Sequence, residues 1–176
     1  MKPEKNPIKI IWLTKKTLLP ASVWAIWGIA IFLLTVLTFA VPDNIVKVNF
    51  SILDTKKFLT ISIPALVFVL SMYSFGREIY SEKDLAFFYS NKLMIYYGYL
   101  SDYLFSAANW CMVIAFCVFK LIFIINLPHW QLEMARIVFL SQFLLAVITT
   151  LSIVVKNMNR ISNKVAINAI KREGEE

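Results

Sequence analysis

The stretch IVFLSQFLLAVITTLSIVV, residues 137–155, contains no charged side chain. Three other apolar stretches precede it in the chain, at residues 22–41, 58–75 and 104–125. Each has about the ~20 helical residues that are needed to cross the hydrocarbon core of a bilayer. The sequence therefore predicts an all-α, polytopic membrane protein in which residues 1–176 form a single domain of four transmembrane helices.

The composition agrees with a chain that is surrounded by lipid. Hydrophobic residues make up 59% of the 176 residues and charged residues 16%. Soluble globular domains have roughly 45–50% apolar and about 25% charged residues. Four apolar stretches with so little charge leave too little polar surface to enclose them in one water-soluble core. The composition thus disfavours a soluble protein, and the lipid bilayer is the first partner that we expect.

The basic residues indicate the orientation. If the N-terminus is cytoplasmic, thirteen Lys and Arg residues flank the spans on the cytoplasmic side and four lie outside. Because such an excess marks the cytoplasmic side, we expect cytoplasmic termini, a cytoplasmic tail at residues 157–176, and a cell membrane, most simply a bacterial plasma membrane. Topology and anionic headgroups then account for the net charge of +7, and no nucleic acid is expected as a partner. The thirteen are Lys2, Lys5, Lys9, Lys15, Lys16, Arg77, Lys83, Lys92, Lys156, Arg160, Lys164, Lys171 and Arg172, and the four are Lys47, Lys56, Lys57 and Arg136.

The segment ahead of the first span mixes apolar and basic residues. Ile8, Trp12 and Leu13 alternate with lysines such as Lys9 and Lys15. On a helix this pattern is typical of a segment that lies in the headgroup layer. The sequence predicts an interfacial helix here, and a disordered basic tail that only sets the topology is the open alternative.

The segment between the second and third spans is rich in aromatic residues. Ser81, followed three residues later by Asp84, predicts a helix start of the capping-box type. The following residues are too apolar for free exposure to water, which predicts an amphipathic cytoplasmic helix that packs on the membrane or on a partner. The alternative is an extension of the third span, with Tyr96, Tyr97 and Tyr99 as its interfacial belt.

The order of these parts resembles the first two-thirds of an ABC-2-type exporter permease. The shared features are an inner-surface helix, a charged turn with Glu78 after the second span, an amphipathic cytoplasmic helix, and Gly98 before the third span. The resemblance covers roughly Lys9 to Val155 and its motifs are loose. It implies a permease subunit in which the segment from Asp84 to Met94 docks on a separate ATPase subunit. Such permeases have six spans, so a second membrane subunit is also implied.

The resemblance and the aromatic pattern together give a set of partner-binding candidates. An apolar anchor beside acidic side chains suits an interface with a hydrophobic centre and a polar rim. The candidates are Glu78, Glu82, Asp84, Phe87, Phe88, Tyr89 and Met94.

Charged residues within or next to the spans are few. Lys120 lies inside the third apolar stretch, where a buried charge is costly and is usually kept for function. Its position near the outer end favours a side chain that reaches the headgroups over one that faces the bundle interior. Asp102 lies at the inner mouth of the same span, where a helix N-terminus would stabilise its charge.

The sequence carries no pattern that names a reaction. Cys111 and Cys117 do not share a helical face, and His129 is the only histidine, so no multi-histidine metal site is possible. We expect no catalytic residue, no metal and no cofactor, and therefore no enzyme. Two alternatives to a permease subunit stay open. One is an immunity or accessory protein for a membrane-active peptide, and the other is a lipid enzyme using the acidic residues near Glu82.

Overall fold

The protein is described here from a computed structural model. The described residues are 4–42, 44–45, 48–49, 53–124 and 126–173, and within them the side chains of residues 75–79, 168 and 170–173 are not described. Throughout these ranges the regular structure is entirely helical. The helices are α1 (Pro7–Leu13), α2 (Lys15–Leu18), α3 (Ala21–Phe39), α4 (Thr55–Ile79), α5 (Glu82–Asn91), α6 (Leu93–Ile122) and α7 (His129–Glu173).

Four of these helices are long and apolar enough to cross a membrane. They are α3, the first part of α4 (Thr55–Ser74), α6, and α7 from His129 to Ile167. The prediction of an all-α protein with four candidate transmembrane helices is confirmed.

Three of the four helices are longer than the predicted spans, and α4 (Thr55–Ile79) extends beyond both ends of the predicted 58–75. The third was predicted at residues 104–125, but α6 begins at Leu93 and ends at Ile122. The fourth was predicted to begin at residue 137, after two charged residues. The helix begins at His129, and within its first turns Glu133 and Arg136, three residues apart, pair at 2.6 Å. A charge pair within one helix costs far less in an apolar setting than an isolated charge.

The centre of the bundle is α6, which packs against both α4 and α7, while α3 lies against α7. Helices α1, α2 and α5 also pack on α6. Buried residues from α4, α6 and α7 form one apolar core. Its members are Val69, Tyr99, Tyr103, Trp110, Val113, Ala146 and Ile153.

The bundle has two distinct ends. At one, which we call the terminal end, Tyr97 on α6 accepts a hydrogen bond from the backbone of Glu4, and Lys156 on α7 contacts Thr17. At the other, the loop end, Lys120 on α6 reaches the carbonyl of Leu53 ahead of α4. Helix α5 packs on the first turns of α6 and belongs to the terminal end.

The segment ahead of the first span is helical. Asn6 caps α1 by accepting hydrogen bonds from the backbone of Ile8 and Lys9. Along α1 and α2, Ile10, Thr14 and Leu18 are buried at a spacing of four residues, as one helical face requires. This face packs on the bundle, so residues 7–18 are part of the fold rather than a disordered tail.

Candidate functional site

The predicted partner-binding surface centres on α5, whose start follows the predicted capping box. The hydroxyl of Ser81 accepts from the backbone of Asp84 at 3.2 Å, and the Asp84 carboxylate accepts from the Ser81 backbone at 3.0 Å. The prediction of this cap is confirmed. The Asp84 carboxylate therefore holds the helix start.

The aromatic residues of α5 divide into inward and outward ones. Phe88 is half-buried, with its ring 5.4 Å from that of Tyr80, and Tyr89 is half-buried 5.6 Å from Tyr96. Phe87 instead is 54% exposed, although its ring makes an edge-to-face contact with that of Phe88, with the ring centres 6.2 Å apart. Only the outward residue presents a free apolar surface, so Phe87 is the strongest anchor candidate on α5.

The remaining candidates are spread over three elements. Glu82 is exposed in the first turn of α5. Met94 is 58% exposed but lies on α6, because the backbone leaves the helical conformation at Lys92, with φ −140° and ψ 57°. The segment from Asp84 to Met94 is thus divided between the end of α5 and the start of α6. The side chain of Glu78 lies outside the described residues.

The three tyrosines of the alternative interfacial belt differ in exposure. Tyr96 is half-buried, whereas Tyr97 and Tyr99 are buried, Tyr97 against the segment ahead of α1 and Tyr99 in the core. Tyr97 accepts the Glu4 backbone N–H at 2.8 Å, and Tyr99 stacks with Tyr73, Tyr80 and Tyr103. These side chains consolidate the terminal end of the bundle.

An ionic cluster around the buried carboxylate of Asp102 joins the two central helices just beside these tyrosines. Asp102 on α6 accepts hydrogen bonds from Lys156 at 2.5 Å and from Arg160 at 2.8 Å, both on α7. Lys156 also donates to the backbone carbonyls of Thr17 and Leu18, at 3.2 and 2.8 Å. The ammonium group has three donors, and all three are used. The cluster therefore ties together α6, α7 and the end of α2.

Asp102 does not occupy the place that the sequence suggested. It lies more than two turns inside α6, because that helix already begins at Leu93. A helix N-terminus acts only over its first turn. The carboxylate is held instead by two cations, with Arg160 also lying 4.9 Å above the ring of Tyr99.

Polar side chains continue from the cluster into the span. Tyr103 donates to Asn157 at 2.7 Å, and one turn deeper Ser106 lies 3.2 Å from the hydroxyl of Thr150. Trp110 donates to the same hydroxyl at 2.8 Å. Deeper still, Gln142 donates to the side-chain oxygen of Asn109 at 2.7 Å. Hydrogen bonds of this kind hold transmembrane helices together where the hydrophobic effect cannot.

The membrane-embedded charge, Lys120, lies in the last turn of α6 at the loop end. Its side chain is exposed, and the ammonium lies 3.5 Å from the carbonyl of Leu53. At the same end Glu133 is buried and pairs with Arg136.

Sequence reasoning missed the ionic cluster and the α6–α7 hydrogen bonds. Lys156 and Arg160 were counted only as topology markers. The sequence nevertheless contained a signal for this cluster. If the third and fourth spans are antiparallel neighbours, Asp102 lies at the same depth as Lys156 and Arg160. Lys156 and Arg160 are four residues apart and therefore share a helical face. Pairing an acid with two bases at equal depth would have located the cluster.

Comparisons with known proteins add no relative: no family model, no curated protein and no solved structure matches the chain. Within the described part of the chain, no group of three or more His, Cys, Asp or Glu side chains is placed to hold a metal ion. The site is therefore defined by its geometry: helix α5 with its exposed Phe87, and an ionic cluster around Asp102 to which α5 is linked through the rings of Tyr80 and Tyr99.

Proposed function

We propose that this chain is a membrane-spanning permease subunit of a multi-component ABC-type exporter, energised by a separate ATPase subunit that docks on α5. The observation that carries the proposal is the build of α5. This helix is short and capped, is anchored on one side by Phe88, and leaves Phe87 exposed, while the acidic Glu82 is exposed in its first turn. An aromatic anchor with a polar rim is typical of a protein interface.

The proposal places the terminal end of the bundle in the cytoplasm. The basic residues flanking the spans support this orientation. Both chain termini, α5 and the interfacial α1–α2 segment then lie on the cytoplasmic side, where an ATPase subunit would be found.

Contacts between α5 and the rest of the bundle support a role in transmitting force. The ring of Phe88 meets that of Tyr80, which in turn lies 5.6 Å from Tyr99. Above Tyr99 lies Arg160, which pairs with Asp102. A push on α5 would therefore reach α6 and α7 through packed side chains and not through a flexible loop.

A second membrane subunit has a surface available on α3. No side chain of this helix is buried, and large apolar residues such as Ile26 and Phe32 face outward. Because α3 packs chiefly on α7, most of its circumference is free to meet lipid or a second subunit.

Co-purification of an identified ATPase subunit tests the proposal. Phe87→Ser should reduce recovery of the ATPase, because loss of an interface anchor costs roughly 2 kcal/mol or more, at least about tenfold in affinity. Phe39→Ser is the matched control, since Phe39 is an exposed phenylalanine at the loop end. Equal recovery with both variants would reject α5 as the docking element. If the wild-type protein recovers no ATPase, a binding role within the bilayer replaces the exporter.

A further inference from the structure

The α1–α2 segment runs across α6 rather than along it. At one end of the segment, the backbone of Glu4 bonds Tyr97. At the other end, a Cβ atom on Gly98 would lie 3.9 Å from the hydroxyl of Thr17. A helix rises ~1.5 Å per residue, so the segment from Glu4 to Thr17 spans up to roughly 20 Å. Its two ends nevertheless contact neighbouring residues of α6, Tyr97 and Gly98, so the segment crosses that helix. If α6 crosses the membrane, the segment lies close to the membrane plane.

The segment is fixed in this place by the protein itself. Ile10, Thr14 and Leu18 are buried against the bundle, and Lys156 bonds the two carbonyls at the end of α2. The backbone that carries its outward face is therefore held in place by the protein, and a ligand need not order it.

The outward face is apolar near α1. Trp12 is 67% exposed, and Ile8 and Leu13 are exposed beside it. Tryptophan side chains favour the headgroup level of a bilayer, where the ring is partly dehydrated and its N–H remains near polar groups. An apolar face with an exposed tryptophan suits the level of a bilayer at which the headgroups meet the acyl chains.

The same face carries unbalanced positive charge. Lys15 lies 4.0 Å above the ring of Trp12, and Lys16 next to it is exposed. The only acidic residue among residues 4–19 is Glu4, which pairs with Lys9. The hydrogen bond from Lys9 holds the pKa of Glu4 below its usual value, so this carboxylate stays ionised and neutralises Lys9 only.

We propose that the α1–α2 segment is a binding platform for anionic phospholipids, in which Lys15 and Lys16 meet the headgroup phosphates and Trp12 enters the boundary of the acyl chains. The inference rests on the proposed function only in placing the terminal end at the cytoplasmic face. The apolar face matches the acyl chains of such a lipid, and the adjacent cations match its anionic headgroup.

Quenching of Trp12 fluorescence by brominated lipids tests the platform. The full-length protein is placed in lipid nanodiscs of phosphatidylcholine that contain either brominated phosphatidylglycerol or brominated phosphatidylcholine. Subtracting the signal of Trp12→Phe isolates Trp12 from the other tryptophans. Two lysines near a bilayer surface together give a preference for anionic lipid of at least about tenfold. Brominated phosphatidylglycerol should then quench Trp12 as strongly as a roughly tenfold higher fraction of brominated phosphatidylcholine.

Lysine variants show whether the lipid preference comes from the α1–α2 segment or from the positive charge of the whole protein. Lys15→Gln with Lys16→Gln should abolish the preference, whereas Lys56→Gln with Lys57→Gln, an exposed lysine pair at the loop end, should preserve it. Equal quenching of the wild-type protein by the two lipids would overturn the platform while leaving the segment at the membrane. No quenching by either lipid would mean that Trp12 is away from the bilayer, which overturns both the platform and the placement of α1. The co-purification of an ATPase subunit through α5 does not depend on either quenching result, so the two proposals can fail separately.

Discussion

Lys156 on α7 places its ammonium group 2.5 Å from the carboxylate of Asp102 on α6 and, with the same group, bonds the carbonyl of Leu18 at 2.8 Å. The carbonyls at a helix end have no partner within the helix. One lysine thus satisfies the end of α2 and a buried carboxylate together. The N-terminal segment and the two central helices are consequently fastened at a single point.

Removing the charge of Asp102 should destabilise the bundle. In Asp102→Asn, Lys156 and Arg160 lose their common counter-charge; because both cations are partly exposed, we expect a cost of about 2 kcal/mol, less than for a fully buried pair. Asp54→Asn is the control, since Asp54 is an exposed cap of α4 and asparagine caps equally well. The measurement is the free energy of unfolding in mixed detergent micelles. A change below ~0.5 kcal/mol in Asp102→Asn would show that the cluster does not stabilise the fold.

Thr150 should stabilise the bundle through the hydrogen bonds of its hydroxyl group rather than through the volume of its side chain. Thr150→Val keeps the side-chain volume but leaves the N–H of Trp110 without its acceptor. We expect a loss of about 1 kcal/mol in the free energy of unfolding, in line with polar contacts between transmembrane helices. Thr60→Val provides the comparison, because the exposed Thr60 hydroxyl bonds only the carbonyl of Lys56 within its own helix. Equal effects of the two substitutions would argue against the α6–α7 hydrogen bonds as a source of stability.

Cysteine labelling should distinguish the two ends of the bundle. In a background without Cys111 and Cys117, single cysteines at Asn44 and His129 should react from outside the cell, since both lie exposed at the loop end. Cysteines at Lys83 and Asn163 should react only after the membrane is opened. Labelling of positions 44 and 83 from the same side would contradict the four-span arrangement.

The spans and the cap of α5 could be predicted because their signals are local. An uncharged run of about 20 residues needs no knowledge of its neighbours, and Ser81 and Asp84 cap a helix through the backbone that joins them. The ends of the spans were harder. Helix α7 begins before Arg136 and contains its ion pair with Glu133, whereas a hydropathy pattern counts the two charges separately and ends the apolar run there.

The site was less predictable because it depends on contacts between distant segments. Phe87 and Phe88 are equivalent in sequence, yet the position of Tyr80 makes one an inward and the other an outward residue. Likewise, Asp102 acquires its cations from residues more than fifty positions away. Which helix faces meet cannot be read from either helix alone.

The direct contact between α5 and an ATPase subunit is tested by photo-crosslinking in membranes. A photo-reactive phenylalanine analogue is placed at Phe87, and in a control protein at Phe39, which has similar exposure at the opposite end. Docking on α5 predicts a crosslink from position 87 to an identified ATPase subunit and none from position 39. If position 87 crosslinks only to lipid, or if both positions give the same products, α5 is not the docking element and the exporter proposal is contradicted.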